Sequence, residues 1–380
     1  MKATIILMSS VLLWGALTSA REPVSGRAKN GAREAGIAQR FAPIFYQALG
    51  DKPRSDYITN FDFDGDWRGD NNWDHIDQFP LKAYIYYSVT ETSSHYFIHY
   101  TVFHPRDYKG GEVKGTILSE LIREAAKKGR QYDPTGLSGE AALAHENDME
   151  GCLLVVTKVG DGKGRLTFVE TLHHNTFSHY VVGEAAEGFT AVQAEDEHPL
   201  LYIEPKGHGI EAYDGDQKQT GKKEFLRYVF RGKAEDPSAN EKLICRDLPS
   251  TPCRQSVGYE LQPISTTLWP RAVALPNETY GEDYDYGEIK LSISLGGAKA
   301  SEKTIKVGKV ACAFLGKVGG HNMARPPWGW FDNNERDLTM GRWFFDPAVV
   351  VKRHYQLGES FSTAYLSLPF WAVSPLSAGQ

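Results

Sequence analysis

AHENDMEGCLLVV, residues 144–156, sets an imidazole and two carboxylates directly ahead of an unbroken apolar run. In a helix, His145 and Asp148 would share a face and Glu150 would point away from both. On a strand, Asp148 and Glu150 share a face, and His145 folds in from the preceding turn. The run CLLVV favours the strand. Two carboxylates and an imidazole on one face call for something positive between them. A divalent cation answers that need, and an oxygen-rich donor set favours Ca²⁺ or Mg²⁺ over Mn²⁺ or Zn²⁺. On spacing alone, rim charges in water with His145 capping a turn fit equally well.

The flanking sequence is mostly β. LKAYIYYSV (81–89) and HYFIHYTVF (95–103) are aromatic and β-branched and flank the polar turn TETSS, which predicts a hairpin. CLLVVTKV and RLTFVETL (165–172) flank a glycine-rich turn and predict a second. LLYIE (200–204), IKLSISLG (289–296), IKVGKVACAF (305–314) and AYLSLPFW (364–371) extend the series. In GTILSELIREAAKKG (115–129), apolar residues recur on one helical face, so a helical insertion is expected over 108–143. The pattern predicts an all-β chain, a β-sandwich with helical insertions. Its core would span 38–231, with a long Pro/Ser/Asp-rich loop at 232–263 and a C-terminal β extension at 264–380 packed on the same fold.

Residues 1–20 carry Lys2, a short apolar stretch and Thr18-Ser19-Ala20, the layout of a cleavable secretory signal. A secreted protein with a mobile Gly/Ala/Arg-rich leader at 21–37 is expected. Loss of Lys2 takes the formal net charge from −6 to −7. A mildly acidic chain without a Lys/Arg block is a poor nucleic-acid binder. With 41% apolar and 12% aromatic residues, it has the composition of a globular fold.

Four cysteines in an exported chain favour disulfides, and three pairings exist. Cys245 and Cys253 bracket a proline-containing loop and can close a local ring. Cys152 and Cys312 each sit in a strand-like run and can staple two strands. Asn277-Glu278-Thr279 is a glycosylation sequon for a eukaryotic secretory route.

Ala144-His145-Glu146-Asn147-Asp148-Met149-Glu150 resembles the heptapeptide G-H-R-H-D-W-E of the necrosis- and ethylene-inducing protein-like family. Upstream, YTVFHPRD (100–107) is similar to that family's strand ending in an acid that joins the same metal site, which nominates Asp107. Downstream, Lys206-Gly207-His208-Gly209 and Tyr213 look like its His-Gly-Gly-Tyr segment near the cation. Asn147 and Met149 stand where the heptapeptide has His and Trp. The similar part spans about 80–215. The opening AQRFAPIFY (38–46) with the later Trp- and Asp-rich turn also resembles the vacuolar protein sorting sixty-two family, which has no well-defined activity. The first resemblance implies a two-sheet β-sandwich holding a cation through Asp107, His145, Asp148 and Glu150, with His208 lining the pocket. It further implies a secreted cytolysin that recognises sphingolipid sugar headgroups.

Other stretches allow bland and functional readings side by side. FDFDGDWRGDNNWD (61–74) lacks the EF-hand's glycine at loop position six and its acid at twelve, which predicts a polar turn pinned by Trp67 and Trp73. Of the neighbours His173 and His174, at most one can approach the cation. ARPPWGWFDNNERD (324–337) sets Trp328 and Trp330 in a Pro/Gly loop, where exposed rings would stack on sugars or meet a membrane surface, and buried ones would join the core.

The leading expectation is a cation-dependent binder of glycans or glycolipid headgroups. An alternative is a metal-dependent extracellular hydrolase or lyase acting on polysaccharide or phosphoester, with His208 or His174 as general base. A third is a cation that only ties loops together.

Overall fold

The computed structural model describes residues 24–107, 145–160, 164–215, 224–246, 253–274, 281–294, 299–316 and 324–368. The expected signal segment, the helical insertion 108–143 and the sequon at Asn277 lie outside the described residues. Among the described residues, no helix is long and apolar enough to cross a membrane.

Eighteen strands are described. They are β1 (Ile44–Ala48), β2 (Tyr84–Thr92), β3 (His95–Asp107), β4 (His145–Lys158), β5 (Gly164–Leu172), β6 (Phe177–Val182), β7 (Thr190–Val192), β8 (Ala194–Glu195) and β9 (His198–Ile203). They continue with β10 (Ile210–Ala212), β11 (Glu224–Phe230), β12 (Ile244–Arg246), β13 (Val257–Pro263), β14 (Gly281–Asp285), β15 (Glu288–Ile293), β16 (Ser301–Lys306), β17 (Lys309–Phe314) and β18 (Tyr365–Ser367). The helices are α1 (Val24–Arg40), α2 (Asn72–His75), α3 (Leu268–Val273), α4 (Arg342–Phe345) and α5 (Pro347–His354).

One mixed sheet runs β10-β9-β1-β11-β13-β2-β3-β4-β5-β6-β7, while β14 and β17 form a separate pair. The expected hairpins are both present, β2–β3 and β4–β5. β3 and β4 form the longest antiparallel pair, and period-two alternation divides their side chains between two cores. Ile98, Tyr100, Val102, Cys152 and Leu154 belong to one cluster, to which all eleven strands of the path contribute. A single core fed by every strand along that path requires the sheet to curl on itself. The separate two-sheet sandwich is therefore replaced by a barrel-like, nearly closed sheet.

Phe97, Phe103, Met149, Leu153 and Val155 point outward into a second core, built with Trp269, Trp328, Trp330, Trp343 and Phe344. The C-terminal part thus covers the outside of the sheet and adds β15 and β18 to its edge. It contributes helices as well as the expected β extension. Aromatic rings dominate this cover, with Phe177 stacked on Trp343 at 4.0 Å.

Three chain segments depart from expectation. Within the stretch read as a mobile leader, Val24–Arg40 is helical and lies at the end of the sheet formed by the β2–β3 and β4–β5 turns. Arg33 pairs with Glu91 at 2.5 Å, and the Ala38 carbonyl accepts from Tyr100 Oη at 2.6 Å. Its Ala-rich composition suits a helix, and Ala38 and Phe41 bury into the barrel core. The stretch 232–263 is not only a loop, because β13 inserts in parallel between β11 and β2. Finally, Cys245 and Cys253 are bonded, whereas Cys152 and Cys312 are buried thiols that do not bond each other. The physical reason is the sheet itself: Cys152 belongs to the inner core, while β17 packs Val310, Ala311 and Phe314 into the outer one.

Candidate metal centre

The polar end of β4 meets the polar end of β3 through their register, which places Val102 opposite Glu150, His104 opposite Asp148 and Asp107 opposite His145. Asp148 and Glu150 continue the alternation of Cys152 and Leu154 and so face the barrel interior. His145 would fall on the other face, but Asn147 has φ 61° and breaks the alternation. Asn accepts this left-handed conformation better than most residues. Its side chain is fixed at both ends: Asn72 Nδ2 donates to Asn147 Oδ1 at 2.6 Å, and Asn147 Nδ2 donates to the Gly69 carbonyl at 2.8 Å. The departure Asn147 thus builds the turn that lets β4 present donors from both faces.

Asp107, His145, Asp148 and Glu150 line one cavity, together with Met149, His174, Gly207 and Arg325. Its volume is about 30 Å³, room for about two water-sized groups. A sugar would meet the mouth of such a cavity and could not enter it. His145 Nε2 lies 3.1 Å from Asp107 Oδ2, and the Met149 amide donates to Asp148 Oδ1 at 2.9 Å. Asp107 and His145 form one pair in the cavity, and no three of the four side chains bring donor atoms within 4.8 Å of one another. Among the described residues, acid and imidazole donors converge within 4.8 Å at Glu170–His179–His354 and at His173–His174–Glu204.

His208 stands behind Asp148 and does not line the cavity. It is fully buried, donates from Nδ1 to Asp148 Oδ2 at 2.8 Å and places Nε2 3.3 Å from Asp56 Oδ1. Burial alone would lower its pKa, but the two carboxylates raise it to about 10. An imidazolium held between two acids with no exposure is neither a pocket wall nor a general base, so both readings of His208 are corrected. It acts as a positioning residue for Asp148. Against the cost of burial, this hydrogen bond and the nearby imidazoles hold the Asp148 carboxyl far below the usual carboxylate range. His104 stacks on His208 at 3.7 Å and hydrogen-bonds Gln47 Oε1 at 3.0 Å. Burial and the charge of His208 push His104 well below its ordinary value, so this second ring is neutral.

Glu150 carries the contrast. Burial, then the charge of Asp148, pushes its pKa well above the usual range. Among the described residues, its buried Oε2 has no hydrogen-bond partner. A buried carboxylate oxygen without a partner is costly and marks a place for a cation or proton. The donor set passes this test of fit: three carboxylates and one imidazole, mainly hard oxygen donors.

Of the adjacent histidines, only His174 lines the cavity, with Nε2 2.5 Å from Glu204 Oε1. His173, beyond the end of β5, meets Glu211 at 3.0 Å and the same Glu204 at 3.5 Å, so both rings gather on that carboxylate. Glu204 and Glu211 raise His173 to about 10. Burial opposes ionisation of Glu204, but His173 and His174 draw it down to about 2. Asp56, Gln47, His104 and Glu204 were not singled out in the sequence as site residues. His104 stands inside the HPRD motif, and Glu204 ends the strand-like LLYIE, but neither position signals its partner.

Trp328 and Trp330 are corrected as ligand-binding residues. Both are wholly buried in the outer core, and their indole N–H groups donate to the carbonyls of Ala311 and Arg325. The Asp-rich turn is polar, as expected. Asp64 meets His75 at 2.5 Å, Asp70 meets Arg68 at 3.0 Å, and Asp66 accepts from the Arg68 amide at 2.7 Å.

No family model matches the chain, and no curated protein matches it. Among solved structures, necrosis and ethylene inducing protein 2, from the causal agent of cocoa's witches' broom disease, is similar over 47% of this chain and 68% of its own, with 13% identity and a TM-score of 0.26. NLPPya in complex with mannosamine is similar over 49% of this chain and 70% of its own, with 12% identity and a TM-score of 0.27. The non-toxic HaNLP3 protein is similar over 48% and 51%, with 9% identity and a TM-score of 0.21. Such low identities and TM-scores leave the reading of the site to the side chains themselves.

Proposed function

We propose that this chain is an exported protein that uses a divalent cation, Ca²⁺ or Mg²⁺, to recognise glycans or glycolipid headgroups. The single observation that carries the reading is the buried Oε2 of Glu150, without a hydrogen-bond partner among the described residues, in a cavity shared with Asp107, His145 and Asp148. Asp107, His145, Asp148 and Glu150 would hold the ion, and His208 would orient Asp148 from behind. A bound hard cation with exchangeable positions accepts sugar hydroxyls in place of water. The narrow cavity suits this, since it admits an ion and leaves the sugar at the mouth, beside His174. Export rests on the signal-like residues 1–20.

The test is binding to a glycan and glycolipid array with Ca²⁺, with Mg²⁺ and after EDTA, using the wild type, Asp148→Asn and Glu150→Gln. Binding that needs the cation and is lost in both variants is the expected result. Binding unchanged by EDTA and by both substitutions would refute it. Product release from polysaccharides would instead support hydrolysis. Variants that only melt earlier, with binding intact, would make the cation structural.

A further inference from the structure

On the outer face of the barrel, away from the acidic cavity, Glu170 and His179 are direct cross-strand partners on β5 and β6. His354, the last residue of α5, comes down on them, and donor atoms of all three lie within 4.8 Å of one another. We propose that Glu170, His179 and His354 form a transition-metal site, with Zn²⁺ as the ion, that fastens the C-terminal cover to the barrel.

The geometry supplies both the ligands and the groups that orient them. Glu170 is fully buried, with Oε1 2.7 Å from His354 Nδ1, and its Oε2 accepts from Trp343 Nε1 at 2.9 Å. The indole therefore fixes the carboxylate with one oxygen turned to the histidines. His354 Nε2 meets Glu335 Oε2 at 2.7 Å. A metal-ligating histidine commonly gives its second ring N–H to a carboxylate, which sets its tautomer and raises its basicity. Glu335 is placed for that task. His179 packs its ring 4.1 Å from that of His354, and its buried Nε2 has no hydrogen-bond partner among the described residues. That atom would be the third donor, on a ring held in place between His354 and Tyr355.

Two imidazole nitrogens and one carboxylate oxygen form a borderline-soft set that selects Zn²⁺ over Ca²⁺ or Mg²⁺, the reverse of the preference in the acidic cavity. On binding, the proton on His354 Nδ1 passes to solvent, the N–H at Nε2 stays on Glu335, and water takes the fourth position. The four elements drawn together are β5, β6, the loop carrying Glu335 and the end of α5. This holds the aromatic cover against the sheet.

The test uses the full chain freed of metal by a chelator and titrated with Zn²⁺ by calorimetry, beside His179→Phe, Glu335→Gln and Asp148→Asn. His179→Phe keeps an aromatic ring and breaks no hydrogen bond at Nε2. It should stay folded by circular dichroism and lose affinity roughly 100-fold or more, while Glu335→Gln should lose about 10- to 100-fold. Asp148→Asn should bind as the wild type does, since that variant touches only the other site. Wild type that takes up no Zn²⁺, or His179→Phe that binds it unchanged, would overturn the proposal. Should His179→Phe fail to fold, unchanged affinity in Glu335→Gln overturns it equally.

Discussion

Replacing Asn147 by Ala tests whether one left-handed residue aims the candidate metal centre. Asn147 is fully buried, at φ 61°, with hydrogen bonds from Asn72 and to the Gly69 carbonyl. Alanine would forfeit both bonds, about 1 kcal/mol each, and leave their partners buried. Holding alanine in the left-handed region adds about 1 kcal/mol. The expected loss is therefore about 3 kcal/mol, and stranded polar groups can only raise it. Asn147→Gly separates the two contributions. Glycine takes this conformation without strain, so it should lose about 2 kcal/mol and remain about 1 kcal/mol more stable than the alanine variant. Urea unfolding at fixed pH, with equal slopes in all three proteins, gives the differences directly. Cation binding by the folded alanine variant should also weaken, because the turn that aims His145 then lacks both of its side-chain anchors. An alanine variant within 0.5 kcal/mol of wild type, or one less damaging than glycine, would refute the account of this turn.

Three further outcomes are expected. His208→Gln leaves Asp148 and Asp56 buried without their imidazolium, and breaking such a pair costs roughly 3–5 kcal/mol, measurable by thermal or urea unfolding. Loss of the Cys245–Cys253 bond, which closes a ring of separation 8, should cost about 2.5 kcal/mol by chain entropy, read by comparing oxidised and reduced protein in urea. His99 sets a pH dependence: burial, against its bond to the Trp343 carbonyl, lowers it to about 4. Its stability contribution is complete above the unfolded value near 6.5 and is lost as pH falls towards 4, because only the unfolded chain binds the proton. The wild type should lose up to about 1.4 kcal/mol per pH unit more than His99→Gln across that window, and parallel pH profiles would refute it.

The hairpins around β2–β3 and β4–β5 were legible because alternating or continuous apolar runs end at polar turns. The curling of the sheet was not. It depends on β11 and β13, whose pairings join residues far apart in sequence, and EFLRYVF and VGYELQP say nothing of their neighbours. The aromatic loop at 324–337 was legible in composition only. Trp328 and Trp330 can serve a sugar or a core equally well, and the choice is made by β17 and α4 packing around them. Asp107, His145, Asp148 and Glu150 were legible as one group through spacing and family resemblance, and the register brings them to one cavity. His208 was placed in the right neighbourhood with the wrong role, since burial between two acids cannot be read from Lys-Gly-His-Gly.

Local rules break together at this end of the barrel. Of the seven non-glycine residues described with positive φ, five lie at or beside it: His174 and Asn175 line the cavity, and Asn147, Lys206 and His208 adjoin residues that do. Each such conformation costs of order 1 kcal/mol and persists only where the surroundings over-determine it. The same end buries Asp148, Glu150 and His208 and, among the described residues, leaves one carboxylate oxygen of Glu150 without a partner. These features are held in place by the inner core and the aromatic cover on either side of β3 and β4. The outer cluster at Glu170 differs: its carboxylate is hydrogen-bonded through both oxygens, and His179 has negative φ. The strained positions thus gather around the cavity, and none falls at Glu170, His179 or His354.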